Sequence, residues 1–227
     1  MIMFKDYQVT IKHSKRKTAS IYIERDGAVT VMVPEHLDSA HVNRILHDNE
    51  YKIHKYQAKR KLLNESAVTR EPVNGQSFLY LGRNYYLQYH DEADVVGIKG
   101  RHFNVPNKLG SKIQAAFRRF YKRKGKEIVA PRVDKYAKMM GLEIKEITIM
   151  DLKTRWASCS LKKPKVNFHW KIMMAPLSVI EYLIVHELVH FKHKRHNAEF
   201  WNEVDKILPD YQNQVQWLKD YGASLSI

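Results

Sequence analysis

The chain is nearly devoid of cysteine, has no long apolar run and is short of acid, and each shortage narrows what it can be. Cys159 is the only cysteine in 227 residues. An internal disulfide framework is therefore excluded, a reducing compartment is consistent, and the thiol reads as a small buried side chain rather than a nucleophile. No apolar stretch approaches the roughly 20 residues that span a bilayer. Residues 1–6 lack the apolar core and cleavage site of a secretory signal, so a cytoplasmic protein with no membrane partner is expected. Asp and Glu number 24 against 39 Lys and Arg, a formal charge of +15. Such a field attracts polyanions and makes nucleic acid a candidate partner through the basic surface, although no zinc ribbon or RNP-like sequence accompanies it.

What is present is enough apolar material, 44% of residues, to bury one large core or two small ones. The pattern is α+β: N-terminal antiparallel hairpins plus a long helix, then a helical and mixed C-terminal part, with a boundary drawn between residues 1–110 and 111–227. Residues 7–12 and 19–24 alternate in the strand manner, and Asp26-Gly27 is a turn signal leading into a further strand over 28–33. Ser39 is placed to cap a basic helix over residues 40–63, and a polar linker covers 64–75. The aromatic segments 78–81 and 85–89, joined by Gly82-Arg83-Asn84, predict a second hairpin, and a short strand pair flanks Gly100. A helix is expected from Ser111, broken by Gly125 and Pro131 and ended by Gly141. Its Arg118, Arg119, Lys122, Arg123 and Lys124, like the lysines of the 40–63 helix, offer a polyanion surface. Further on, alternation over residues 166–174 predicts a strand with a polar face able to take an extended peptide.

The chemistry concentrates in His186-Glu187-Leu188-Val189-His190, an H-E-x-x-H pattern. On a helix, residues four apart lie one turn above each other, so two imidazoles can reach one cation. Glu187 projects from the flank, where its carboxylate can take a proton from the attacking water without being a ligand. The preceding residues 179–185 are apolar nearly all round, so the helix is expected to be buried, with Ser178 and Glu181 as a capping box. Buried histidines and a glutamate need partners, and a metal supplies them. The third ligand is open on these grounds. His193 would stand about 10 Å along the axis from His186, too far for zinc–nitrogen bonds of about 2.0 to 2.1 Å. His196 qualifies if the chain breaks after the cationic residues 192–195 and Asn197 caps a new helix, and Glu199 or Glu203 on that helix are the competing carboxylates.

The run Lys153-Thr154-Arg155-Trp156-Ala157-Ser158-Cys159-Ser160, the later Trp170-Lys171-Ile172-Met173-Met174-Ala175-Pro176, and the helix through His196 with Glu199-Phe200-Trp201 together resemble the YgjP-like metallopeptidase family, related to the SprT-like zinc proteases. The likeness extends into the N-terminal hairpin and the Tyr80-Leu81-Gly82 hairpin and so covers nearly the whole chain. It implies an N-terminal mixed region followed by a zincin-like catalytic domain, with Zn2+ on His186, His190 and His196, Glu187 as general base, and a polypeptide substrate. Arg155, His169 and Tyr211 are candidate substrate or oxyanion contacts. Ala157 stands where the family has glycine and His169 where it has asparagine. The first would strain a turn if positive φ were needed there, and the second would change specificity or supply an oxyanion donor if the asparagine side chain touches substrate. Two other classes share these residues: a nucleic-acid-binding protein retaining a structural zinc, and a zinc hydrolase of a non-peptide amide or nucleotide substrate.

Overall fold

A computed structural model describes residues 2–5, 7–24, 26–65 and 70–227 of the chain, which forms a mixed α+β structure of two compact units divided near residue 67. In the first unit, β1 (Ile2–Phe4), β2 (Tyr7–Ser14), β3 (Ser20–Ile23) and β4 (Val29–Pro34) form one sheet in the order β1-β2-β4-β3. The Asp26-Gly27 signal does close a β3–β4 hairpin, the Ala28 N–H donating to Asp26 Oδ1 at 2.9 Å. The sheet is not purely antiparallel, because β2 pairs parallel with β4.

The expected single helix over 40–63 is two, α1 (Ser39–Asp48) and α2 (Glu50–Glu65). Its cap is Asp38 rather than Ser39, with Oδ1 accepting from the His41 N–H at 2.8 Å. Asn49 breaks the run, its side-chain amide donating to the Ile45 carbonyl at 2.9 Å. Val42, Leu46 and Ile53 still follow helical spacing and bury against Val9, Val29, Val31 and Val33 of the sheet. The linker expected over 64–75 is described only in part, since residues 66–69 lie outside the described residues.

The second unit opens with β5 (Ser77–Tyr80), β6 (Arg83–His90), β7 (Gly97–Lys99) and β8 (His102–Pro106), in the order β5-β6-β8-β7. The boundary drawn at residue 110 falls inside this unit, because Phe78, Leu87, Phe103 and Val105 of the sheet share one core with Phe117, Phe120 and Tyr121 of α3 (Ile113–Met139). The β5–β6 turn is Leu81-Gly82, one residue earlier than expected, and both residues have positive φ, +50° and +76°. Two left-handed residues match the twist of the paired strands, as a two-residue hairpin turn requires. The turn's amides also point outward to a neighbour: the Leu81 and Gly82 N–H groups donate to the Met173 and Met174 carbonyls at 2.8 and 3.1 Å.

Helix α3 runs unbroken through Gly125 and Pro131. Gly125 is there for clearance rather than as a stop, since a Cβ would lie 3.1 Å from Ile149 and 3.3 Å from Met173. Gly141 ends the helix as expected, with its own N–H and that of Leu142 returning to the Lys138 and Ala137 carbonyls. Next come β9 (Glu146–Met150), β10 (Ala157–Ser160) and β11 (Lys165–His169), ordered β10-β11-β9. The strand expected over 166–174 stops at His169, and Trp170–Met174 coil into a 3-10 turn with Trp170, Ile172, Met173 and Met174 all buried. Because every one of these side chains is inside, an alternating face never develops. With β11 in the middle of its sheet, neither of its edges is free for a peptide.

Three helices complete the unit: α4 (Leu177–Val189), α5 (Ala198–Ile207) and α6 (Tyr211–Tyr221). Helix α4 starts after Pro176 without a side-chain cap. The Ser178/Glu181 box does not form, because Glu181 turns to α3 and pairs with Arg132 at 3.5 Å. Among the described residues no helix is long and apolar enough to cross a membrane.

Candidate metal centre

Helix α4 is buried through most of its length, from Val179 and Ile180 to Leu188 and Val189, and His186, Glu187 and His190 fall in and just after its last turn. The chain then leaves the helical path. The His193 N–H still reaches back to the Val189 carbonyl at 2.9 Å, and Asn197 caps α5, accepting from the Phe200 N–H at 3.2 Å. This is the break that the cationic residues 192–195 and Asn197 predict. It brings His196 back beside the helix, so that one nitrogen from each of His186, His190 and His196 lies within 4.8 Å of the other two. His186 Nε2 and His196 Nε2 are 3.0 Å apart, close to the roughly 3.3 Å that two nitrogens about 2.0 to 2.1 Å from one tetrahedral zinc would have.

The donor chemistry fits a cation. Burial first, then the neighbouring His190 and His196, hold the His186 imidazole down to about 3, and burial also lowers His190. Both rings are therefore neutral with lone pairs available at neutral pH. Their remaining nitrogens are oriented from behind. His190 Nδ1 lies 3.1 Å from the His193 carbonyl, to which its N–H donates when Nε2 is the free lone pair. His186 Nδ1 lies 3.4 Å from the Tyr182 hydroxyl. His193 thus contributes its carbonyl, and its ring stays outside the cluster. The carboxylate alternatives are engaged elsewhere: Glu203 pairs with Lys192 at 2.7 Å and Lys206 at 3.6 Å, and Glu199 accepts from the Asn197 side chain. Trp201 stacks on His196 at 5.6 Å and on Tyr211 at 5.4 Å, and this slab of rings limits how far the exposed His196 can swing.

Glu187 is 7% exposed. Burial pushes its carboxyl up to about 7, against hydrogen bonds from the Cys159 thiol and backbone N–H and the charge of Arg155, which pull it down. A carboxyl poised near neutral pH can both accept and return a proton. Cys159 is therefore more than filler, since burial and then the Glu187 carboxylate push its thiol up to about 12. The spacing of 28 residues between the two hid this contact, which α4 and the edge strand β10 create. Tyr182 was hidden differently: four residues before His186, it reads as one more apolar position.

These groups open into a groove of about 660 Å³ lined by Arg155, Tyr182 and Lys194 around the histidines, with Trp156, Leu161 and Leu218 among its apolar walls. Of the three candidate substrate contacts, Arg155 is at the groove. His169 is 6% exposed, does not line it, and its Nδ1 accepts from the Lys171 N–H at 3.0 Å. Tyr211 lies against Tyr182 and Trp201 and faces a separate shallow depression. Ala157 is buried in β10 without positive φ, so alanine in place of glycine brings no backbone strain.

A three-imidazole cluster with a buried carboxylate beside it, opening into a groove, defines a metal-dependent hydrolase, and here the class is a metal-dependent peptidase. The chain matches the model of the YgjP-like metallopeptidase domain over residues 17–221 and belongs to that family. Two solved structures are similar to it over part of its length. The metallopeptidase zymogen abylysin of Pyrococcus abyssi shares 20% identity over 43% of this chain and 99% of its own, with a TM-score of 0.38. The zymogen jannalysin of Methanocaldococcus jannaschii shares 25% identity over 40% of this chain and 85% of its own, with a TM-score of 0.36. No match is found among curated proteins.

Proposed function

We propose that the protein is a zinc-dependent peptidase of zincin type in which His186, His190 and His196 hold the metal and Glu187 is the general base. The observation that carries this reading is the convergence of three imidazole nitrogens within 4.8 Å of one another, two from the end of α4 and one from the loop before α5, beside the buried Glu187 of α4. Zinc, when bound, lowers the pKa of the attacking water toward about 7 and polarises the scissile carbonyl. Glu187 accepts the proton of that water and hands it to the leaving amine. The Cys159 thiol and backbone N–H hold the carboxylate in place for both transfers. The substrate backbone lies along the free edge of β10, whose Ala157 and Cys159 line the groove, and Arg155 is the candidate oxyanion contact. Residues 111–227 carry this machinery.

Casein or peptide cleavage by the purified protein tests the reading. Activity should disappear with a zinc chelator and return with zinc but not with magnesium, because an all-imidazole set suits zinc rather than an oxygen-seeking cation. Cleavage that survives complete metal removal would sink it.

A further inference from the structure

We infer that the groove selects acidic, partly apolar peptide segments, and that Lys194 is the residue that sets this preference. The inference rests on the peptidase reading and adds the class of substrate. Three charged side chains other than the histidines line the groove: Arg155, Lys194 and Glu187. The acid is buried, 7% exposed, so the charge that a substrate meets is positive. Arg155 is close enough to act on Glu187, His190 and Cys159. Lys194 is exposed and has no ion-pair partner among the described residues. The two glutamates of α5, which follow it in the chain, are engaged elsewhere: Glu203 is held between Lys192 and Lys206, and Glu199 accepts from Asn197. The groove thus keeps one cation unspent at its mouth.

The opposite character of the walls completes the description. Leu161 is 40% exposed on one side, with Tyr182, Leu183 and Leu218 also facing the space. Trp156 is wedged against Gly222, where a Cβ would lie 3.1 Å from its ring, so this wall is fixed before a ligand arrives. Apolar side chains next to the scissile bond gain burial there. Flanking Asp or Glu meets Lys194, while flanking Lys or Arg is repelled by it.

The test uses three fluorogenic peptides with one apolar core flanked by Glu, Gln or Lys. Binding is read by anisotropy on the full-length Glu187→Gln protein, and cleavage on the zinc-loaded wild type. Binding and kcat/KM should fall in the order Glu, Gln, Lys by roughly fivefold per step, the factor of an ion pair of surface strength. The steps should shrink as salt is raised from about 50 mM to about 0.5 M. Lys194→Glu should collapse or reverse the order, while Lys99→Glu, the same charge change on exposed β7 away from the groove, should preserve it. Equal binding of the three peptides, or an equal effect of the two lysine variants, overturns the inference. If the wild type then still cleaves all three alike, the peptidase reading stands. Graded binding without any cleavage supports the groove's charge selectivity and sinks the peptidase reading instead.

Discussion

Replacing Gly82 by alanine should destabilise the second unit through the start of α4, although residue 82 is far from His186 in sequence. Gly82 has a φ of +76°, and a Cβ there would meet Pro176 at 2.9 Å from Cγ and 3.0 Å from the backbone Cα. A left-handed alanine costs about 1 kcal/mol. The overlap costs a further 1 to 3 kcal/mol or so, since the ring can pucker away but the Cα cannot. The total is about 2 to 4 kcal/mol. The displaced part is Pro176, the residue from which α4 starts, together with the Met173 and Met174 carbonyls that accept from the turn. Urea unfolding of the wild type and Gly82→Ala, followed by Trp fluorescence at equal metal loading, measures the difference. A loss under about 0.5 kcal/mol, the size expected of an ordinary surface change, would refute the claim that this turn is clamped onto α4.

Other outcomes follow from the site. His196→Ala should lose zinc, whereas His193→Ala should keep it because the carbonyl, not the ring, contacts His190; metal analysis after dialysis against a weak chelator reads both. Cys159 should react with iodoacetamide at pH 8 far more slowly than a free thiol, since burial and Glu187 push it up to about 12, and fast labelling of the native protein would contradict that environment. In the metal-free protein the raised Glu187 carboxyl is neutral and unpenalised below about 4.5, and its contribution is lost as pH rises through about 7. Glu187→Gln should therefore stabilise the metal-free protein at pH 8, by at most about 3 kcal/mol, and change little at pH 4.5. Denaturant titrations at the two values decide, and equal effects at both would contradict the burial argument.

The parts legible in the sequence were those set by local chemistry. The H-E-x-x-H spacing, the Asn197 cap and the Asp26-Gly27 turn each depend on residues within one turn of one another, and each is found. Pairing between distant segments was not legible: hairpin signals say nothing of β2 lying parallel to β4 or of β11 being enclosed on both edges. Gly125 looks like a helix stop, but its lack of a side chain serves Ile149 and Met173 across the core. Residues 170–174 alternate like a strand in sequence, yet Met173, placed on the polar face by that alternation, is buried with Trp170, Ile172 and Met174, which removes the meaning of the alternation. Cys159 could be given a size and a hydrophobicity but not its neighbour Glu187, which only the packing of β10 on α4 supplies.

The most direct test of the central claim sets zinc content and peptide cleavage of the wild type beside those of Glu187→Ala. The three histidines and their orienting contacts at Tyr182 and the His193 carbonyl are untouched by the substitution. The variant should therefore retain one zinc per chain while cleavage falls by about 100-fold or more, the loss expected when a general base is removed. Full activity in Glu187→Ala with zinc in place would contradict the assignment of the base, and with it the chemistry proposed for this groove.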